Sequence, residues 1–315
     1  MGGVQWMVLA AVFLLAPALY SSGETPQTSS VLLTGAWLVD GTGAASVDNA
    51  WVRMVGDRIV EVGQGSPPFS PGESVMDLKG STILPGLADM HVHLGDLQQA
   101  RWMLKVLLAH GVTRIKETGN TLGNLAAIRG WLHGESVVPR VYMSGVTING
   151  SFEDLRFLKE GDGTRGPLAD NAAFGVEFLK AYNWDSSQAL RQMADFAEAA
   201  GLTLTGHVPL GMTSVAAIDS GMQILEHVRL RPGEVLDDPE IIARYPIDLS
   251  VSRRSAYWAH LDPKAHALAK TLDAWEKRKE KFFLDPTLVT QWAIANADGP
   301  AQAALASHLD VVSPR

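Results

Sequence analysis

The chain first shows short apolar runs separated by turn residues, over residues 31–79. The two alternating runs that flank Gly56-Asp57 predict a β-hairpin, because this dipeptide suits a tight turn. Gly- and Pro-rich residues 63–68 break the pattern before one more strand at residues 74–78. The pattern predicts a small antiparallel β-sandwich lobe over residues 26–80, too small to bury much core alone.

After Ser81 the pattern changes to strands that alternate with helices. Six predicted strands end near His93, Gly119, Gly145, Lys180, His207 and His227, and a candidate seventh covers residues 282–289. The predicted helices cover about residues 97–110, 122–133, 186–200 and 212–220. Such alternation predicts an α/β fold with a parallel sheet, here a (β/α)8 TIM-type barrel over residues 81–315, incomplete with about seven strands.

Two segments interrupt the alternation. Residues 147–168 are rich in Gly and charge, which predicts an active-site loop with a short helix behind it. Residues 229–281 form a long, largely helical insertion between the sixth and seventh strands. Because loops at the carboxyl ends of barrel strands usually define substrate choice, we expect specificity to reside in these segments.

Five residues at strand ends predict a metal site. His91 and His93 lie two apart on one strand, so their side chains point the same way. Lys180, His207 and His227 each close a short apolar run. Since the carboxyl ends of parallel strands meet on one face of a barrel, these groups are expected to converge.

The amino-acid composition limits which partners and which metal ligands are possible. Lys and Arg number 26 and Asp and Glu number 34, so the net charge is −8, which argues against nucleic acid as a partner. Cysteine is absent, which excludes disulfides and thiolate ligands. Metal ligands must therefore be His, carboxylate or modified Lys, which suit zinc and similar divalent ions.

The N-terminus carries an apolar stretch at residues 6–16, followed by Pro17. Its length predicts a signal peptide over residues 1–25 and export to the periplasm or the extracellular space, with no stable membrane span after cleavage. An uncleaved anchor is the alternative, because no Lys or Arg occurs before Arg53. Whether the chain forms a homo-oligomer is left open.

Five segments carry a resemblance to a known family. Residues 83–94, which contain His91-Val92-His93, look like the first-strand signature of the metal-dependent amidohydrolase superfamily. Residues 111–119 resemble its second strand, with Glu117 where Asp is more frequent. Residues 176–182, 206–209 and 224–227 are similar to the imidazolonepropionase-like branch, which includes dipeptidases acting on X-Pro and related dipeptides.

The resemblance implies roles for the five residues. His91 and His93 would bind the more buried of two divalent ions, with zinc the expected metal. His207 and His227 would bind the second ion, and Lys180, N-carboxylated, would bridge both. Two ions about 3.5–4 Å apart would activate a shared water as the attacking hydroxide. Asp89 would either orient a histidine or serve a plain structural role.

The resemblance also leaves a gap. The superfamily places a metal-binding aspartate that acts as general base at the end of the eighth strand, and the chain ends at Arg315, soon after the seventh. Asp298 and Asp310 lack that setting, so no catalytic general base is identified. The expectation is a C-terminally truncated barrel that is inactive by itself.

The predicted function is that of an exported metal-dependent amidohydrolase, best matched to a dipeptidase for X-Pro or similar substrates. A cyclic-amide hydrolase of the imidazolonepropionase kind and a non-catalytic metal-binding barrel are the alternatives. Arg229 is a candidate for holding the free carboxylate of a dipeptide, if the sixth strand continues that far. Tyr182 is a candidate substrate contact, with a core aromatic at the barrel rim as the alternative.

Overall fold

The computed structural model describes residues 29–135, 137–149, 165–183, 186–227, 229–245 and 260–288. Its chain divides into two compact units. The first contains the described residues up to Ala88, with Leu104–Arg114 and Val137–Pro139. The second contains Asp89–Met103, Ile115–Ser136 and the described residues from Arg140 onward. The predicted signal peptide and most of the predicted loop at residues 147–168 lie outside the described residues.

The first unit is built on a β-sheet. Its strands are β1 (Ser30–Leu38), β2 (Val47–Val55), β3 (Arg58–Gln64), β4 (Ser74–Asp77) and β5 (Thr82–Ile83). The order is β3-β2-β1-β4, with β5 also paired to β1. The β2–β3 hairpin is antiparallel across Gly56-Asp57, as predicted. However, β4 and β5 run parallel to β1, so the sheet is mixed, and the prediction of a purely antiparallel lobe is wrong.

The predicted first barrel strand is divided in two. Ile83 belongs to β5 and pairs with Leu38 of β1. The strand β6 begins only at Leu87 (Leu87–Val92). Pro85 and Gly86 separate the two pieces, since proline offers no N–H to a ladder and glycine weakens a strand.

From β6 onward the chain alternates strands and helices, and β6, α1 and β7 have residues in both units. Its remaining strands are β7 (Val112–Glu117), β8 (Arg140–Met143), β9 (Phe178–Ala181), β10 (Thr203–Gly206), β11 (Ile224–Glu226) and β12 (Phe283–Asp285). One sheet has the order β6-β7-β8, and the other, β12-β11-β10-β9, is parallel throughout. An isolated parallel bridge joins Ile148 to Ala181 of β9. The prediction of an α/β fold with parallel strands in chain order is confirmed.

The helices fall between the strands as predicted. They are α1 (Leu97–Ala109), α2 (Leu122–Leu132), α3 (Arg165–Phe174), α4 (Ser187–Ala199), α5 (Ser214–Asp219), α6 (Pro232–Val235), α7 (Pro239–Arg244) and α8 (His266–Glu276). The last three lie in the predicted helical insertion. None of the helices in the described parts of the chain is both long and apolar enough to cross a membrane.

The core of the second unit fixes the strands that carry the site. The helix α4 buries Leu190, Met193 and Ala197, spaced three and four residues apart, as expected for one face of a helix. These side chains join one cluster with Leu179 of β9 and Leu204 of β10, both fully buried. Because alternate side chains of a strand point to opposite faces, this packing directs the intervening polar residues to the other face.

Gly206, the last residue of β10, allows a close approach between strands. A Cβ added there would lie 2.3 Å from the carbonyl oxygen of Ala181 in β9. We expect Gly206→Ala to lower the free energy of unfolding by about 1–3 kcal/mol, because the strands must shift apart. Gly123→Ala in α2 is the control, since a Cβ there meets nothing within 4 Å. It should raise stability by about 0.5–1 kcal/mol. If urea denaturation gave the two variants the same free energy of unfolding, this close approach between the strands would be contradicted.

Candidate metal centre

Four histidines form a continuous row in the second unit. The ring centroids of His91 and His93 are 5.1 Å apart, those of His91 and His227 are 4.3 Å apart, and those of His227 and His207 are 4.8 Å apart. They come from the ends of β6, β10 and β11. The structure therefore brings together all four histidines that the sequence singled out.

His227 enters this row through an unusual backbone conformation. Its φ is +71°, in the left-handed region that non-glycine residues seldom adopt. Glu226 and His227 are neighbours in sequence, and an extended backbone would point them to opposite faces. The left-handed turn instead lets both face His91. Strained backbone held in place by surrounding contacts is often found at functional sites.

Hydrogen bonds at Nδ1 determine which ring nitrogen of each histidine is free. His91 Nδ1 lies 2.6 Å from a carboxylate oxygen of Glu226, and His93 Nδ1 lies 3.4 Å from the carbonyl oxygen of Gly119. Both partners accept, so Nδ1 carries the proton and Nε2 keeps its lone pair. Metal-binding histidines commonly show this arrangement.

His207 has the same arrangement through Asn183. Its Nδ1 lies 2.8 Å from Asn183 Oδ1, and that oxygen also accepts from Arg229 Nη1 at 2.6 Å. A guanidinium only donates, so the amide atom must be the oxygen, and His207 Nδ1 must donate to it. Burial, and then the charge of Arg229, hold the pKa of His207 far below its usual range. His207 is therefore a neutral imidazole with Nε2 available.

His227 is also neutral near pH 7. Burial, and then the proximity of His91, lower its pKa to about 3. Its Nδ1 lies 2.7 Å from the hydroxyl of Thr287, which follows β12. Because a hydroxyl can donate or accept, this contact positions the ring without fixing its tautomer.

Lys180 is buried beside this group, close enough for its charge to lower the pKa of His93, His207 and His227. Its side chain is 1% exposed, and Nζ has no hydrogen-bond partner among the described residues. The nearest carboxylate oxygen in an ion pair is Glu226 Oε1, at 3.8 Å. Burial lowers the pKa of Lys180 to about 8, although the charge of Glu226 opposes the shift. A buried ammonium with one distant partner is costly, which favours a neutral or modified amine.

Glu226 is the central anion of the group, and the sequence analysis gave it no role. One of its oxygens accepts from the Thr205 hydroxyl at 2.5 Å and lies 3.4 Å from Lys116 Nζ. The other contacts the His91 ring. Burial favours the neutral acid, but the His91 contact and the two lysines hold the pKa of Glu226 below its usual range. An acidic residue inside the apolar run 222–226 was the signal that could have revealed it.

Two other acidic residues contact backbone amides. Asp89 accepts from the backbone N–H of His91 at 3.1 Å. This contact corresponds to the structural one of its two predicted roles, because the carboxylate that contacts the His91 ring is Glu226. Glu117 is fully buried and accepts from the amides of Leu94 and Gly119. Burial raises the pKa of Glu117 to about 7.

The two predicted substrate contacts lie beside the histidine row. The Tyr182 ring centroid is 4.2 Å from that of His207, and Tyr182 is half-buried. The strand β11 ends at Glu226 and does not continue to Arg229, so the condition under which Arg229 was predicted to face the site is not met. Arg229 nevertheless reaches the site through Asn183.

Comparisons with known proteins agree on one superfamily. No family model matches the chain. Over 151 residues it is 24% identical to an imidazolonepropionase of Alkaliphilus metalliredigens, covering 47% of this chain and 31% of that protein. Over 74 residues it is 31% identical to an adenine deaminase of Clostridium perfringens, covering 23% of this chain and 13% of that protein. The chain thus spans less than a third of the length of these curated relatives.

A solved structure extends the similarity over more of the chain. The match to a Xaa-Pro dipeptidase with bound methionine in its active site covers 82% of this chain and 79% of the dipeptidase chain, with a TM-score of 0.58 and 18% identity. At this identity the match shows a shared fold. The resemblance to the amidohydrolase superfamily, which the sequence motifs indicated, is confirmed, and the relatives are hydrolases that act on carbon–nitrogen bonds.

Proposed function

We propose that the full-length protein is an exported, metal-dependent amidohydrolase that cleaves the amide bond of X-Pro or similar dipeptides. The observation that carries the proposal is the convergence of four histidines beside one buried lysine. The proposal includes a (β/α)8 barrel to which β6–β12 contribute seven strands, and two zinc ions as the metals.

The residues present fit a pair of divalent ions. Three histidines have Nδ1 occupied by an acceptor, so three Nε2 lone pairs are free to bind metal. The ring distances keep these donors within one small volume. Imidazole nitrogen and carboxylate oxygen are ligands that zinc accepts readily.

Lys180 fits the same centre as a carboxylated side chain. Its neutral amine can attack carbon dioxide, which forms an N–C bond and releases the amine proton. The product is an anion with two oxygens, a far better partner for cations than an ammonium. The missing hydrogen bond at Nζ and the pKa of about 8 both favour this reaction.

Each residue would then have a defined task. His91 and His93 would hold one ion, His207 and His227 the other, and Lys180 both. Glu226 would keep the His91 ring in its orientation, and Asn183 would do the same for His207. Bound ions would lower the pKa of a coordinated water and polarise the scissile carbonyl.

Arg229 is the proposed anchor for the free carboxylate of the dipeptide. Its guanidinium is half-buried and shares Asn183 Oδ1 with His207, which places a fixed positive charge next to the ligand row. Hydrogen bonds between a guanidinium and a carboxylate are among the stronger polar contacts. Tyr182, stacked on His207, would border the same substrate pocket.

A dipeptide assay with Arg229→Met tests this assignment. We expect KM for dipeptides with a free carboxylate to rise at least about tenfold, since a charged hydrogen bond contributes about 1.5–3 kcal/mol. C-terminally amidated dipeptides should be poor substrates for the wild type and should respond little to the substitution. Arg191→Met, on an exposed position of α4, should behave as wild type. Equal turnover of free and amidated dipeptides would remove Arg229 from the substrate site.

Two other functions remain as outcomes of the same assay. Hydrolysis of imidazolone propionate without dipeptide turnover would favour a cyclic-amide hydrolase, the activity named for one sequence relative. Metal binding without turnover of either substrate class would favour a non-catalytic metal-binding protein. Both substrates carry a carboxylate that Arg229 could hold. The dipeptidase is preferred because an exported enzyme meets peptides more readily than a cytosolic catabolic intermediate.

A further inference from the structure

A second carboxylate, outside the predicted ligand set, points into the centre. Asp285 is the last residue of β12 and pairs in register with Glu226 of β11. Because the two strands are parallel, register partners direct their side chains to the same face. Ligand atoms of His91, Glu226 and Asp285 all lie within 4.8 Å of one another.

Asp285 is half-buried, and one of its two carboxylate oxygens is unsatisfied. Its Oδ2 is inaccessible to solvent and has no hydrogen-bond partner among the described residues. The Lys180 side chain, also buried and without a hydrogen bond, points at the neighbouring carboxylate of Glu226. An unsatisfied buried oxygen costs about 1–3 kcal/mol unless something outside the chain satisfies it.

No lysine or arginine among the described residues forms an ion pair with Asp285. The ammonium groups of Lys116 and Lys180 lie 3.4 Å and 3.8 Å from Glu226 Oε1, so both contact the other carboxylate. Two carboxylates this close repel each other when no cation lies between them. A divalent ion bound by Asp285 beside Glu226 would reduce the repulsion and satisfy the free oxygen.

We propose that Asp285 is a metal ligand, which binds a divalent transition ion together with His91 beside the carboxylate of Glu226. This inference rests on the proposed metal centre and adds to it a ligand from β12. The donor set of imidazole and carboxylate suits zinc, cobalt or manganese. Asp285 thereby supplies an aspartate to the centre from the seventh strand, where the sequence analysis expected none.

The test compares Asp285→Asn with the wild type by zinc titration and by the visible spectrum of the cobalt(II)-substituted protein. We expect at least about tenfold weaker binding of one ion and an altered cobalt spectrum, because a ligand is lost. Asp285→Glu should retain binding closer to the wild type. Asp273→Asn, which removes an exposed carboxylate from α8, should change neither readout.

Thermal unfolding separates a ligand from a structural carboxylate. Asp285→Asn removes the repulsion with Glu226, so the metal-free variant should melt at or above the wild-type temperature. Added zinc should raise its Tm less than that of the wild type, because a weaker ligand stabilises less at equal concentration. A variant that is destabilised without metal but binds zinc normally would show a structural role and overturn the proposal. If the wild type binds no ion, the proposed function itself fails.

Discussion

Lys180→Ala should lower kcat/KM for dipeptide hydrolysis by at least about a hundredfold, with loss of bound metal. The lysine is buried beside the histidine row, and its Nζ makes no hydrogen bond with the described residues. Alanine would remove the only side chain proposed to contact both ions. The expected result is therefore loss of the pair, with little effect on secondary structure.

Two variants act as controls for the lysine. Lys180→Glu, which supplies a carboxylate without carbon dioxide, should keep more metal than Lys180→Ala. Lys270→Ala, on an exposed position of α8, should keep wild-type metal content and activity. If Lys180→Ala retained both ions and full activity, the lysine would be a plain core residue.

Glu226→Ala should be the most destabilising single substitution in the centre. Glu226 is fully buried and forms ion pairs with Lys116, Lys180 and the His91 ring. Alanine would leave buried ammonium groups uncompensated, and breaking a buried ion pair costs about 3–5 kcal/mol. The free energy of unfolding, measured by urea denaturation without metal, should fall by this amount.

Glu226→Gln should be milder, because the amide oxygen can still accept from His91 while the NH2 group donates to the Thr205 hydroxyl. Glu276→Gln removes an exposed carboxylate and should change stability by no more than about 0.5 kcal/mol. A Glu226→Ala protein as stable as the Glu276→Gln protein would show that the cluster around Glu226 contributes nothing to the fold.

The strand-end residues were predictable because burial imposes a local pattern. The runs before Lys180, His207 and His227 are largely apolar since the strands are mostly buried. Lys180 is the penultimate residue of β9, and His207 and His227 directly follow β10 and β11. The hairpin at Gly56-Asp57 was predictable for a similar reason, since its turn residues identify it locally.

Other features depend on contacts between distant segments. The positions of Asn183 and Asp285 become informative only when β9 pairs with β10 and β11 pairs with β12. The left-handed backbone at His227 could not be predicted, because non-glycine residues rarely adopt it. Ile83 was assigned to the wrong strand because its apolar run continues past Pro85, and only pairing with β1 separates the two pieces.

Metal content of the purified protein is the most direct test of the central claim that these side chains form a metal centre. Inductively coupled plasma mass spectrometry after exhaustive buffer exchange should find about two divalent ions per chain, as in other two-metal hydrolase sites. Protein that carries no metal, takes up none from added zinc, cobalt or manganese and still hydrolyses dipeptides would contradict the account.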